Sequence, residues 1–246
     1  MINKRRKWER NELIVTFNLY CKIEFSKIHH RNPLIISLAK MIDRTPSAIS
    51  WKLVNFASLD SDLTGRGIKG AVNCSKLDKS IFNEFVNNWE SLVEESEALI
   101  LNYRNNIDEV VIKTKEGKES LSLVKTRINQ GFFRKSVLSS YSSKCCVTGI
   151  DIPELLVASH IVPWANNVEN RLNPQNGLCL NNLHDKAFDK GLISFDKDYK
   201  LMLSTILKKK NNKYFSEFEG TQITLPKKFI PSLEFLKYHN ERIFVG

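Results

Sequence analysis

The chain is 246 residues long, 42% hydrophobic and 26% charged, a balance that suits one large or two modest globular domains. Its 37 Lys and Arg against 27 Asp and Glu leave a net charge of +10, which favours a polyanionic partner, nucleic acid first. No stretch approaches the roughly 18 apolar residues of a membrane span, Lys4-Arg5-Arg6-Lys7 has no apolar core behind it, and five cysteines form no even disulfide framework, so reduced thiols and a cytoplasmic location are expected.

Between Trp8 and Ile23, Leu13, Ile14, Phe17 and Tyr20 share one face, the spacing of a first helix. Pro33 to Ile42 repeats the pattern, Asp43-Arg44 makes a turn, and Thr45-Pro46 supplies an N-cap and a first-turn proline for a helix through Ala57. Helix, turn and capped helix give the outline of a helix-turn-helix. On that reading Arg44, Ser47, Ser50, Lys52 and Asn55 are candidate DNA contacts, the last four exposed, while Ile49, Leu53 and Phe56 pack inward. The alternative is a helical bundle that only supports the C-terminal half of the chain. Gly65-Arg66-Gly67-Ile68-Lys69-Gly70 is either a phosphate contact through Arg66 and Lys69 or a surface loop.

Leu77 to Tyr103 reads as one long helix or two, with Glu94, Glu95 and Glu97 forming an acidic face. Residues 105–124 are polar and charged, a linker between a helical domain of residues 1–104 and a second domain of residues 125–246. That second domain opens on an amphipathic helix from Lys125 to Tyr141, where Arg127 and Arg134 are phosphate clamps or merely solvated cations. Leu155-Leu156-Val157-Ala158 leads into His160, and Gly177-Leu178-Cys179-Leu180 leads out of an Asn173-Pro174-Gln175-Asn176 turn, predicting two short strands joined by a polar loop. Leu183, Ala187 and Phe188 then fall at helical spacing before Gly191, a left-handed terminator, which puts His184 in a first helical turn.

Residues 192–196 and 199–203 alternate like a second hairpin turning at Asp196-Lys197-Asp198. Lys208-Lys209-Lys210 is a polyanion contact or a solvated loop, and Pro231 to Phe244 closes the chain with a helix whose lone His239 is read as structural or exposed.

A histidine, an asparagine and a second histidine near loops are each, taken singly, ordinary satisfied polar groups; taken together they are compatible with phosphodiester hydrolysis. Hydrolysing a phosphodiester near neutral pH needs a base whose pKa is close to the operating pH, and unperturbed histidine, at about 6.5, meets that need. It also needs a Lewis acid, which an imidazole and oxygen ligands can hold, while an amide can fix the ring of the base.

Ser159-His160-Ile161, Asn176-Gly177-Leu178 and Leu183-His184-Asp185-Lys186-Ala187-Phe188-Asp189, set within residues 127 to 204, resemble the HNH endonuclease family, in the subgroup whose first motif reads Ser-His-Ile. The resemblance implies an α+β protein whose C-terminal domain has the ββα-metal fold and cuts double-stranded DNA with one Mg²⁺ or Mn²⁺ ion per active site, as restriction and phage-defence nucleases do. It assigns His160 as general base, Asn176 as the residue that orients it and His184 as a metal ligand. Ser159 stands where many members carry a metal-binding aspartate; Ser159 and Asp189 complete the candidate metal set, Asp189 being alternatively a cap into Gly191. Many HNH modules also carry two cysteine pairs, but the matching positions here are Cys146, Gly149, Leu180 and Leu183, so a structural zinc is not expected. A homodimer would bring two such sites together on both strands. The competing function class is a DNA-binding regulator with a decayed nuclease core, for which Ser159 alone speaks.

Overall fold

The computed structural model of the protein describes residues 6–65, 74–105 and 118–246, with backbone alone for residues 105 and 118–125. The chain divides into two compact units, Met1–Phe132 and Phe133–Gly246. Arg66 and Lys69, together with residues 106–117 of the expected linker, lie outside the described residues.

The first unit is helical. Its helices are α1 (Arg10–Lys22), α2 (Pro33–Met41), α3 (Pro46–Leu59), α4 (Ser61–Thr64), α5 (Lys76–Phe85) and α6 (Trp89–Asn105). α1 runs through the middle and packs against α3, α5 and α6, because its apolar residues recur on more than one face and all of them but the half-buried Leu19 are buried. The Phe17 ring lies 4.9 Å from Phe56 and 5.5 Å from Phe82, so three helices share one aromatic centre. Burying each such ring contributes roughly 1.5–3 kcal/mol, which makes this centre the main support of the bundle. The apolar run from Leu77 to Tyr103 resolves into two helices, broken where Asn87-Asn88 favours a turn and the Asn88 N–H bonds back to Phe85 O at 3.0 Å.

Helix α3 carries the Thr45 cap read from the sequence, and α2 has a matching one at Asn32. Asn32 accepts from the Leu34 N–H and Thr45 from the Ala48 N–H, with Pro33 and Pro46 as first helical residues. The outer face of α3 differs from expectation: Lys52 and Asn55, read as exposed, are buried. Lys52 Nζ bonds both oxygens of Asp78 at 2.8 and 2.9 Å, and Asn55 Nδ2 reaches the same carboxylate at 3.0 Å. Arg44 is buried as well, its guanidinium forked onto Glu12 at 2.9 and 2.7 Å. The physical reason is charge compensation, since a carboxylate taken out of water must keep a cation and hydrogen bonds. Burial by itself raises the pKa of Glu12 and Asp78, but the bonds from Arg44 and Lys52, with those from backbone N–H groups, outweigh it and hold both carboxyls below the usual range. Ser47 does lie exposed, Ser50 is half-buried with its hydroxyl bonded to Pro46 O, and Trp51 beside them is 66% exposed.

Helix α7 (Lys118–Ser140) begins earlier than the expected Lys125. In the second unit, β1 (Leu156–His160) and β2 (Gly177–Asn181) form an antiparallel hairpin with Leu156 opposite Asn181 and His160 opposite Gly177. A Cβ at Gly177 would stand 2.4 Å from Val137 Cγ2, so glycine is what lets the end of α7 lie directly on the hairpin. α8 (Asn182–Asp189) follows β2 without a loop, and Gly191 ends it at φ +64°, pressed so close that a Cβ would meet Ile243 O at 2.0 Å.

The second hairpin forms as read, from β3 (Ile193–Phe195) and β4 (Leu201–Leu203), its turn held by Asp196 Oδ1 accepting from the Asp198 and Lys200 N–H groups. The Lys208–Lys210 run belongs to a short helix, α9 (Thr205–Lys210), followed by α10 (Lys213–Ser216), and α11 (Leu233–Arg242) closes the chain. His239 on α11 clasps these pieces together. Its ring stacks on Phe188 at 3.7 Å, Nε2 donates to Phe188 O at 3.1 Å, and Nδ1 meets Ser194 Oγ at 2.8 Å. Among the described residues no helix is long and apolar enough to cross a membrane.

Candidate active site

β1 carries His160 to the loop end of the first hairpin, opposite Gly177. Its Nε2 lies 3.0 Å from Arg171 O. A carbonyl oxygen can only accept, so Nε2 carries the proton and the lone pair of the neutral ring sits on Nδ1. The ring is held flat against Phe133, centroids 3.7 Å apart and planes 9° from parallel, and meets the edge of Trp164 at 5.5 Å. Burial among these rings lowers the His160 pKa below 6.5, only partly opposed by the bond to Arg171 O, so the imidazole is neutral and basic at neutral pH.

The Arg171 carbonyl owes its place to the 161–176 loop. Arg171 Nε bonds Trp164 O at 2.8 Å and its guanidinium lies 5.4 Å over the Trp164 ring. Asn176 is fully buried and ties the two ends of the loop: Oδ1 accepts from Val162 N at 2.8 Å, while Nδ2 donates to Val162 O at 3.1 Å and Asn170 O at 3.3 Å. Asn176 therefore acts on His160 at one remove. It fixes the backbone next to Arg171, and Arg171 O fixes the ring.

His184 rises from the first turn of α8, which starts at the Leu156 end of the hairpin, away from His160. Asn181, the N-cap of α8, accepts through Oδ1 from both the His184 N–H at 3.0 Å and His184 Nδ1 at 3.1 Å. The orientation of that amide is set by its Nδ2 donating to Thr148 Oγ1 at 3.1 Å. Nδ1 is thus the protonated nitrogen, and Nε2 is a bare lone pair, buried and without a hydrogen-bond partner. Phe215 and Phe218 flank the ring at 5.3 and 5.6 Å, and burial lowers its pKa to about 4. A cavity of about 470 Å³ reaches this histidine, lined also by Thr148, Asn181, Leu183, Tyr214 and Glu217.

A neutral imidazole whose second nitrogen is already bonded and whose first is unpartnered fits the donor a divalent ion requires. Ser159 Oγ is a second buried polar atom without a partner. Ser159 lies three residues along β1 from Leu156, the end at which α8 starts, and Asp189 is exposed, about 140° further round α8 from His184. Partial desolvation of the Asp189 carboxyl, and then the neighbouring Asp185, raise its pKa above the usual value although the residue as a whole is exposed. Among the described residues no group of three or more His, Cys, Asp or Glu side chains converges, so an ion bound at His184 would draw its other ligands from water and phosphate oxygens, as Mg²⁺ commonly does.

Of the two candidate clamps, Arg127 is exposed, while Arg134 braces the entry to β1 by donating to Leu156 O at 2.8 Å and Pro153 O at 3.2 Å. Sequence reasoning missed Phe133, Arg171 and Asn181. Asn181 was findable, because an asparagine directly before an apolar helical run is an N-cap signal. The Arg171 contribution is a backbone carbonyl, which no residue type announces.

Cleavage that relied on His160 as its base would take its pH dependence from this ring. Because its pKa is lowered, the base form is complete by neutral pH, and the cleavage rate should climb below pH 6.5 and level off by pH 7. A rate profile whose rising limb is centred well above pH 7 would exclude His160 as the base.

Residues 145–196, which contain the first hairpin, its loop and α8, match the HNH endonuclease family model. An HNH domain implies nuclease activity on DNA, and members of that family typically use a divalent metal ion. No curated protein matches the chain.

Proposed function

We propose that the protein is a metal-dependent endonuclease that hydrolyses phosphodiester bonds of double-stranded DNA. The observation that carries this reading is His160, held between Phe133 and Trp164 with Nε2–H bonded to Arg171 O, which leaves Nδ1 as a fixed lone pair able to take a proton from the attacking water. Asn176 keeps the loop, and through it the ring, in one orientation. His184 would hold Mg²⁺ or Mn²⁺ through Nε2, with water and phosphate oxygens as its other ligands. Such an ion supplies charge stabilisation to the phosphate and leaving oxygens.

The net charge of +10 favours the polyanionic substrate. The helical first unit adds DNA affinity through the outer face of α3, where Ser47 and Ser50 remain accessible to phosphates or base edges. Two units, one binding and one cutting, suit a restriction or phage-defence role, with pairing of two chains placing a site on each strand.

Plasmid cleavage tests the proposal. Cutting is expected with Mg²⁺ or Mn²⁺, is lost in EDTA and returns when the ion is restored, and His184→Ala should behave as the chelated enzyme does. Protein that binds DNA but leaves both ordinary and base-modified DNA intact with either ion would instead be a regulator.

A further inference from the structure

The geometry points to α9 and α10 as a DNA-backbone clamp beside His184, built by an arm that lies beyond the residues matching the HNH family. The inference rests on the nuclease reading and names how that site grips its substrate.

The arm walls the site. Phe215 of α10 and Phe218 just after it are the two rings packed on His184, at 5.3 and 5.6 Å. Whatever approaches His184 from this side passes the arm. The same arm carries several cations. Lys208 is neutralised by Glu219 at 2.7 Å, but Lys209, Lys210 and Lys213 are exposed and form no ion pair among the described residues. Lys213 Nζ lies 5.4 Å over the Tyr214 ring, so cation and aromatic face are presented together.

Next to the cations the surface turns apolar. Leu155, Leu183 and Tyr214, exposed by 42, 51 and 58%, rim the cavity of about 470 Å³ that reaches His184. Such exposed apolar residues grouped around one opening mark an interaction site rather than ordinary surface. A nucleic-acid strand alternates anionic phosphate with apolar sugar, and an apolar lip with Lys213 at its Tyr214 edge and Lys209 and Lys210 on the helix before it is complementary to both. Glu217 is the one carboxylate of that lining, and the three unpaired lysines outweigh it. The strand to be cut therefore runs along the arm, its phosphates on Lys209, Lys210 and Lys213 and a sugar against Tyr214 and Leu183.

The test is a salt titration of DNA binding by the full chain in calcium buffer, comparing wild type with the triple variant K209Q/K210Q/K213Q and with Tyr214→Ser. Each phosphate left without its lysine flattens the slope of log affinity against log salt by about 0.9, so the triple variant should lose roughly 2 to 3 from the slope and at least about ten-fold in affinity near physiological salt. Tyr214→Ser should weaken binding while leaving the slope as in wild type, because it removes no charge. Unchanged affinity and slope in the triple variant, with wild type binding and cutting normally, would overturn the clamp. So would a change confined to self-association in sedimentation, since the apolar lip would then be covered by a second copy. Failure of wild type itself to bind or cut DNA is the different result that overturns the nuclease reading.

Discussion

His160→Ala should cut plasmid DNA roughly 10²- to 10⁴-fold more slowly than wild type, the size of a general-base contribution, with DNA affinity unchanged. The expectation comes from where the proton sits. Nε2–H is committed to Arg171 O, so the ring offers a single lone pair, on Nδ1. The ring is also half-buried against Phe133, so the substitution removes packing, and thermal melts must accompany the kinetics. A variant that melts as wild type does and binds as wild type does but has lost cleavage assigns the loss to chemistry. Wild-type rates in His160→Ala would end the proposed mechanism.

Lys52→Met should destabilise the first unit by about 3–5 kcal/mol, the range for breaking a buried ion pair by removing one partner. Asp78 is fully buried, and Lys52 supplies two of its bonds, with Asn55 Nδ2 and the Ser75 N–H giving others. Without the ammonium the carboxylate is left in a medium that solvates it poorly, and its pKa, now held down, would rise. A depressed folded-state pKa contributes stability above the ordinary carboxylate range, and that contribution is lost as pH falls through the folded value, so the wild-type excess over Lys52→Met should shrink in acid. Replacing both partners with apolar residues, in K52M/D78L, should recover much of the loss. Chemical denaturation at pH 7 and pH 4 measures all of this, and a Lys52→Met variant as stable as wild type would show that Lys52 is free to serve DNA instead.

His160 and Lys52 also mark the line between what a sequence can and cannot display. Local patterns were enough to place α1, α2 and α3, because a 3.6-residue period and a Thr cap with a following proline are written into contiguous residues, whereas α4 falls in a stretch read as a loop. The first hairpin, the helix carrying His184 and the left-handed Gly191 were legible for the same reason. The ordered set His160, Asn176 and His184 was visible through its resemblance to the HNH family, whose model matches residues 145–196.

Tertiary structure alone decided which polar groups remain free to act. Lys52 and Asn55 occupy α3 positions that a helical wheel leaves ambiguous, and only Asp78, brought in by α5, turns that face inward. Asp189 and His184 sit on one short helix, yet the helical rotation between them sends one to solvent and buries the other. The identity of the basic nitrogen of His160 depends on a main-chain oxygen placed by a loop that Asn176 ties shut, and the bare nitrogen of His184 depends on the amide of its own N-cap. Periodicity reports which face of an element is apolar, because that property is local. The partner of a polar atom is fixed by whichever distant segment packs against it, so protonation, ligation and exposure are settled only when the chain has folded.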